Sequence, residues 1–318
     1  MARKPLITHL YTADPSVHVF DGTIYLYPSH DLELEVEEND NGDQYQMTDY
    51  HVFSQPHPEG RVTDHGEALH LRQVPWASRQ MWAPDAAVRD GTFYLYFPAR
   101  DRDGVFRIGV ASSPGPAGPF VPDPEPIRGS FSIDPCVVED GGEHVMVFGG
   151  LWGGQLQCWA TGRFVAGAQT PAADQPAICP KVARLARDMR SFAEPPRDLV
   201  ILDERGVPLT AGDTARRYFE GPWMHRYRGR YYLSYSTGDT HLLVYAVGDS
   251  PFGPFTYRGP LLSPVIGWTT HHSIVEFQGR WYLYYHDASL SGGVSHRRCI
   301  KVQELRYGAA GDIVPMEP

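Results

Sequence analysis

Five times along the chain the same arrangement of apolar and polar positions recurs. A short apolar run is followed by a tight polar turn, then by a run in which aromatic side chains alternate with period two. The copies are DPSVHVFDGTIYLYPSHD (14–31), APDAAVRDGTFYLYFPARD (83–101), DPCVVEDGGEHVMVFGGLW (134–152), EGPWMHRYRGRYYLSYSTGD (220–239) and HHSIVEFQGRWYLYYHDAS (271–289). Period-two alternation sends successive side chains to opposite faces of a strand, and two such runs joined by a tight turn read as a β-hairpin. Two units share their next segment as well. SSPGPAGPFVPDPEP (112–126) and DSPFGPFTYRGP (249–260) both carry Ser-Pro followed by Gly-Pro-Phe, which predicts a third strand, a Pro/Gly turn and a fourth.

Strand-rich units of roughly 45 to 70 residues with little helical periodicity predict an all-β fold, a five-bladed β-propeller, as one domain over residues 1–318. The 32 Gly and 28 Pro agree with a turn-dense chain. Residues 160–215 fit the repeat least. They are rich in Ala, Pro and Arg, with VARLARDMRSF (182–192) as the one helix-like stretch, and read as the end of the third blade plus an insertion. The acidic stretch LELEVEENDNGDQ (32–44) reads as a solvated loop.

Charge narrows the partners. With 38 acidic against 28 basic residues, a net charge of −10 and no Lys/Arg block, nucleic acid and anionic membrane surfaces are excluded, and a neutral or cationic small ligand fits better. The N-terminal MARKPLITHL has no apolar signal core, and no apolar run approaches a membrane span, so a soluble cytoplasmic protein is expected. Cys136, Cys158, Cys179 and Cys299 are far apart, without metal-binding or disulfide spacing, and are expected as reduced thiols.

Aligned on their turns, the five units place Asp14, Ala83, Asp134, Glu220 and His271 at nearly equivalent positions, the Glu220 copy being about one residue longer. The first strand of each propeller blade lines the central channel, so these residues should converge near its mouth. An Asp before Pro is by itself an ordinary turn residue. Three carboxylates in register are harder to explain that way, because like charges packed together raise one another's pKa and cost stability. Two carboxylates flanking a substrate are what glycosidic-bond hydrolysis uses: one donates a proton to the leaving oxygen and the other activates water or attacks carbon. A third can orient the acid and hold its pKa up.

Through ADPSVHVFDG, MWAPDAAV, SIDPCVVEDG, YFEGPW and THHSIVEF, over essentially its whole length, the sequence resembles glycoside hydrolase family 43, a family of five-bladed propellers. The resemblance implies Asp14 as general base, Asp134 as the orienting, pKa-modulating carboxylate and Glu220 as general acid. It also implies inversion of configuration, with base and acid separated by roughly 6.5–9.5 Å. Trp82 matches the family's aromatic beside the sugar, ordinary core packing being its alternative. Arg298, or its neighbour Arg297, matches an arginine that contacts the sugar, with a surface salt bridge as the alternative. His271, ahead of His272, matches a histidine that many members place on a metal, usually calcium, at the channel centre. No organic cofactor is implied.

YPSHD, DYHVFS, VPWASRQMWAPDAA and FGGLWGGQLQ resemble members that act as β-xylosidases, some with α-L-arabinofuranosidase activity. A short xylo-oligosaccharide or an arabinose-containing oligosaccharide is therefore the expected partner. Longer relatives carry a C-terminal β-sandwich near the pocket. Here its closing role should fall to loops such as 30–50 or 160–215, or to a neighbouring subunit in a homo-oligomer. The competing readings are an endo-acting arabinanase, a non-catalytic sugar-binding propeller, and a retaining enzyme of a related clan. The last lacks support, since the early Asn-Asp-Pro-Asn pattern is missing and the chain has only Asn39 and Asn41.

Overall fold

A computed structural model describes residues 3–268 and 270–318; Thr269, in the GWTTHHS segment, lies outside the described residues. The five predicted hairpins form the inner halves of five sheets. Blade I comprises Tyr11–Phe20, Thr23–Asp31, Asp49–Gln55 and Thr63–His70, all antiparallel. Blade II runs from Asp85–Arg89 through Thr92–Asp101 and Phe106–Ser113 to Val121–Pro122, and blade III from Cys136–Asp140 through Glu143–Phe148 and Lys181–Arg184 to Arg197–Asp198. Blade IV holds Glu220–Tyr227, Arg230–Ser236, Leu243–Gly248 and Phe255–Leu262, with Ile201–Leu202 added in parallel at its outer edge. Blade V has three strands, His272–Phe277, Arg280–Asp287 and Cys299–Leu305. The N-terminal segment closes the ring against it: the Leu6 and Thr12 amides donate to the Ile300 and Arg298 carbonyls.

Turn chemistry explains the regularity. In all five inner hairpins both central residues have positive φ: Asp21-Gly22, Asp90-Gly91, Gly141-Gly142, Arg228-Gly229 and Gln278-Gly279. This is the mirror-image turn whose twist matches that of the flanking strands, with glycine taking the second position each time. Apolar faces of adjacent blades then pack together. Tyr27, Tyr50 and Val52 of blade I meet Leu95 and Phe97 of blade II, while Val17, Leu26 and Phe53 meet Tyr284 and Ile300 of blade V.

The helix-like stretch 182–192 is not helical. Val182 pairs with Val147 in blade III, and Leu185 bridges to Phe192 around a turn in which the Asp188 carboxylate accepts from the Arg190 amide. Cross-strand pairing of buried Val182 and Ala183 outweighs a weak local preference. Among the described residues there is no α-helix, and no helix is long and apolar enough to cross a membrane. All four cysteines are free; Cys136, Cys158 and Cys299 are buried and Cys179 partly so.

One buried carboxylate ties the inner strands of three blades. Asp85 accepts from the Ser16 hydroxyl (2.5 Å) and the Val137 amide (2.5 Å), and its Oδ1 lies 2.7 Å from His18 Nε2. Asp85→Ala strands these partners in a dry interior, and a loss of about 3–5 kcal/mol is expected. Urea denaturation checks it; a change below about 1 kcal/mol would be the ordinary surface value and would contradict this role.

Candidate active site

The first strands deliver their leading residues to one end of the channel. In blade I, Ala13 pairs with Ser29 and Ser16 with Tyr27, so the inner strand carries one extra residue, a β-bulge. Blade IV repeats this, Glu220 pairing with Ser236 and Trp223 with Ser234. Superposing the bulges puts Gly221, not Glu220, opposite Asp14. Glu220 occupies the place of Ala13, one residue earlier. The backbone agrees: Asp14, Asp134 and Gly221 all have positive φ, at 49°, 59° and 63°. A non-glycine residue held there costs about 1–3 kcal/mol, a strain that collects at functional sites. Gly221 is required for a second reason, since a Cβ would come within 2.9 Å of the His271 ring.

Around His271 the three carboxylates converge. Its Nδ1 is 3.6 Å from Asp14, while its Nε2 is 3.4 Å from Asp134 and 3.7 Å from Glu220. Asp14 thus lies toward one ring nitrogen and the other two acids toward the second. The Gly221 amide donates to Asp134 Oδ2 at 3.0 Å, which fixes the backbone that carries Glu220. The Asp14 amide donates to His286 Nδ1 at 2.9 Å and the Ser29 hydroxyl to Asp14 Oδ2 at 2.7 Å, so Asp14 is held by both backbone and side chain.

These contacts separate the electrostatics of the acids. Burial would push the Asp14 carboxyl up, but Arg298, His271, His286 and the Ser29 hydroxyl together hold it well below the usual carboxylate range. Asp134 goes the other way. Burial, joined by the charges of Glu220 and Asp14, pushes it up to about 8 against the pull of His271. Burial disfavours a charged His271, yet Asp134, Asp14 and Glu220 overcome that and hold the ring up to about 10. The cluster therefore keeps more protons at neutral pH than isolated groups would.

Arg298 is clamped on the wall. Its Nε and Nη2 donate to the two oxygens of Asp31 at 2.8 and 2.7 Å, and its Nη1 donates to Asp14 at 2.9 Å. Tyr45 covers its face, 4.9 Å from ring centre to guanidinium carbon. Arg297 points elsewhere, bonding the Leu34 carbonyl and Glu35. His272 is buried, with Nε2 2.6 Å from the Ser234 hydroxyl. Thus Arg298 and His271 face the cavity, and Arg297 does not.

Above the acids opens a cavity of roughly 270 Å³. Trp82 lines it, its indole N–H bonded to the Tyr45 carbonyl at 2.8 Å, together with Trp152, Phe219 and Trp268. The acidic stretch 32–44 is solvent-exposed over residues 37–41, as expected, but it is also part of the site, as expected of a pocket-closing loop within 30–50. Glu38, Asn39 and Asp40 line the cavity from its exposed rim, and Gly42 and Gln44 from buried positions. Ser295 donates to Glu38 at 2.6 Å and pins this loop across the rim. Gly42 lies so close to Trp82 that a Cβ would fall 2.5 Å from the indole, so only glycine lets the loop pack there. Among the described residues, none from 160–215 lines the cavity. Trp152 and Trp268 were not singled out from sequence; GGLWGG and IGWTT, with glycine beside tryptophan, carry the signal.

Comparison with known proteins settles the family. The sequence model of glycosyl hydrolases family 43 matches residues 2–313. The chain belongs to glycosyl hydrolase family 43. A family 43 xylosidase/arabinosidase of Humicola insolens is 60% identical, over 99% of each chain. A xylosidase/arabinosidase of Bacteroides ovatus is 55% identical, over 99% of this chain and 98% of its own. Among solved structures, a family 43 β-xylosidase/α-arabinofuranosidase from a compost microbial metagenome, in calcium-free form with xylotriose, is 58% identical. It superposes with a TM-score of 0.98, covering 100% of this chain and 98% of its own. The family 43 protein is a glycosidase with the five-bladed propeller expected from its repeats.

Proposed function

We infer that this family 43 enzyme is an inverting, exo-acting glycoside hydrolase that releases xylose from the non-reducing end of β-1,4-xylo-oligosaccharides, with α-L-arabinofuranosidase activity in the same pocket. The observation that carries the reading is a cavity floored by Asp14, Asp134 and Glu220 and walled by Trp82, Arg298 and the loop 38–45. Support also comes from relatives named for xylosidase and arabinosidase activity and from the xylotriose bound in a structure 58% identical.

In this reading the terminal pentose stacks near Trp82 and receives hydrogen bonds from the N–H groups of Arg298 that Asp31 and Asp14 leave available. Asp14, kept ionised, takes a proton from water as that water attacks the anomeric carbon. Glu220 gives its proton to the leaving glycosidic oxygen. Asp134 positions Glu220 through the Gly221 amide. The loop that lines the pocket rim belongs to the same chain, within the expected segment 30–50.

The donor set also fits a cation on the axis. One partly buried imidazole stands among three carboxylates, beside a void of roughly 20 Å³, about the room of one water. His271 would hold a calcium ion, with Asp14, Asp134 and Glu220 near it and waters completing the oxygen shell that calcium prefers. When bound, the ion supplies the positive charge that otherwise falls to His271. Elemental analysis of purified protein tests this; absence of calcium at full activity would remove it.

A panel of p-nitrophenyl glycosides beside xylobiose and arabino-oligosaccharides tests the activity. Turnover of the β-xyloside and the α-L-arabinofuranoside, with xylobiose cleaved to xylose, is expected. A flat response would sink the glycosidase reading, and cleavage confined to internal bonds of arabinan would favour an endo-hydrolase.

A further inference from the structure

On the face of blade I that turns toward blade V, a second group of metal-ligating side chains is assembled away from the catalytic cavity. His30 lies on the strand Thr23–Asp31, and Asp49 and His51 on Asp49–Gln55. Leu26 pairs with Phe53 between these strands, and carrying that register on brings Asp49 opposite His30. Asp49 and His51 are two residues apart and so share a face, while Tyr50 between them enters the core shared with blade II. The result is two imidazoles and one carboxylate on one surface. Asp49 Oδ2 is 2.9 Å from His30 Nδ1 and 3.7 Å from His51 Nε2, and one donor atom from each residue lies within 4.8 Å of the others.

A second observation concerns what stands behind these groups. His51 turns its other nitrogen, Nδ1, to Asp64 Oδ1 at 3.1 Å, and Asp64 Oδ2 is 2.8 Å from His9 Nε2. A carboxylate behind a histidine is the arrangement that orients metal-binding imidazoles and raises their basicity. None of the three residues lines the catalytic cavity. Each keeps some solvent access, with side-chain exposures of 17%, 10% and 20% for His30, Asp49 and His51, which leaves an entry path and room for a water ligand.

We propose that His30, Asp49 and His51 form a binding site for a zinc-class divalent cation, distinct from the catalytic axis. Metal–ligand bonds of about 2.0–2.1 Å give tetrahedral edges of roughly 3.4 Å, and the observed 2.9 and 3.7 Å bracket that edge. Two imidazoles favour zinc, nickel or copper over calcium or magnesium, which prefer all-oxygen shells. The ion joins the second and third strands of blade I. Through Asp64 and His9 it also secures the N-terminal segment, whose Leu6 amide bonds blade V, so the site lies at the seam where the propeller closes.

The test uses the full chain with Zn²⁺ as probe, followed by calorimetric titration, thermal unfolding and anomalous scattering from zinc-soaked crystals. Expected are micromolar or tighter binding, a rise of several degrees in the unfolding midpoint, and an anomalous peak bonded to His30 Nδ1, Asp49 Oδ2 and His51 Nε2. His51→Gln and His30→Gln should each lose this binding event and the thermal shift. Asp64→Asn, which touches no ion, should weaken binding about 10- to 100-fold. His271→Asn separates the site from the catalytic axis and should leave the event intact. Binding only at millimolar zinc, an anomalous peak confined to the His271 cluster, or unchanged affinity in His51→Gln would each overturn the proposal.

Discussion

Glu220→Ala should lower kcat on xylobiose by about 10²–10⁴-fold while sparing p-nitrophenyl β-xyloside to within about tenfold, because general acid assistance is worth that much only where the leaving group needs a proton. Xylose leaves as a poor alkoxide and depends on the acid; p-nitrophenolate departs without one. The structure makes this a clean substitution. Glu220 is carried on a bulge fixed by its neighbours, through the Gly221 amide to Asp134 and the Ser236 pairing, and neither uses the Glu220 side chain. The fold around it should persist. Equal losses on both substrates would remove Glu220 from the acid's role.

Asp14→Asn should behave differently, lowering kcat on both substrates together by about 10²–10⁴-fold, since water must be activated whatever the leaving group. Asn keeps the shape of Asp; its one acceptor oxygen can take the Arg298 Nη1 donor, and its amide nitrogen then faces the Ser29 hydroxyl, which must turn from donor to acceptor, so the change removes the charge and reverses one hydrogen bond. Stability should respond as well. Asp14 is held well below the usual range in the folded state, so its carboxylate contributes stability that is fully present above the unfolded value of about 3.9. That contribution is lost as pH falls through the lower folded value. The difference in urea midpoint between wild type and Asp14→Asn should therefore be largest near neutral pH and shrink below about pH 3.9. A leaving-group-dependent loss, like that of Glu220→Ala, would show that the two roles had been exchanged.

How much of this was legible beforehand depends on how local each feature is. The five hairpins were, because each is written into about twenty consecutive residues by period-two aromatics and a glycine turn. Asp14 and Asp134 were legible through their common register, and Arg298 against Arg297 became decidable only once the strand Cys299–Leu305 set which way each points. Glu220 also lines the cavity, but its offset of one residue follows from a bulge that the sequence alone does not position. Asp85 was hidden beside Ala83 in MWAPDAA, since its partners come from residues 16–18 and 137. The loop 32–44 was legible as exposed and, within 30–50, as a pocket-closing segment, but which of its residues reach the cavity was not, since its anchor, Ser295, is 257 residues away. The His30, Asp49 and His51 group was invisible for the same reason: it exists only when two strands are aligned.

The most direct measurement of the central claim is the anomeric configuration of the first product. Proton NMR taken in the first moments of xylotriose hydrolysis, before mutarotation, is expected to show α-xylose released from the non-reducing end, as inversion by Asp14-activated water and Glu220 requires. β-Xylose as the first product would mean retention through a covalent intermediate, and the assignment of Asp14 as a base acting on water would then be wrong.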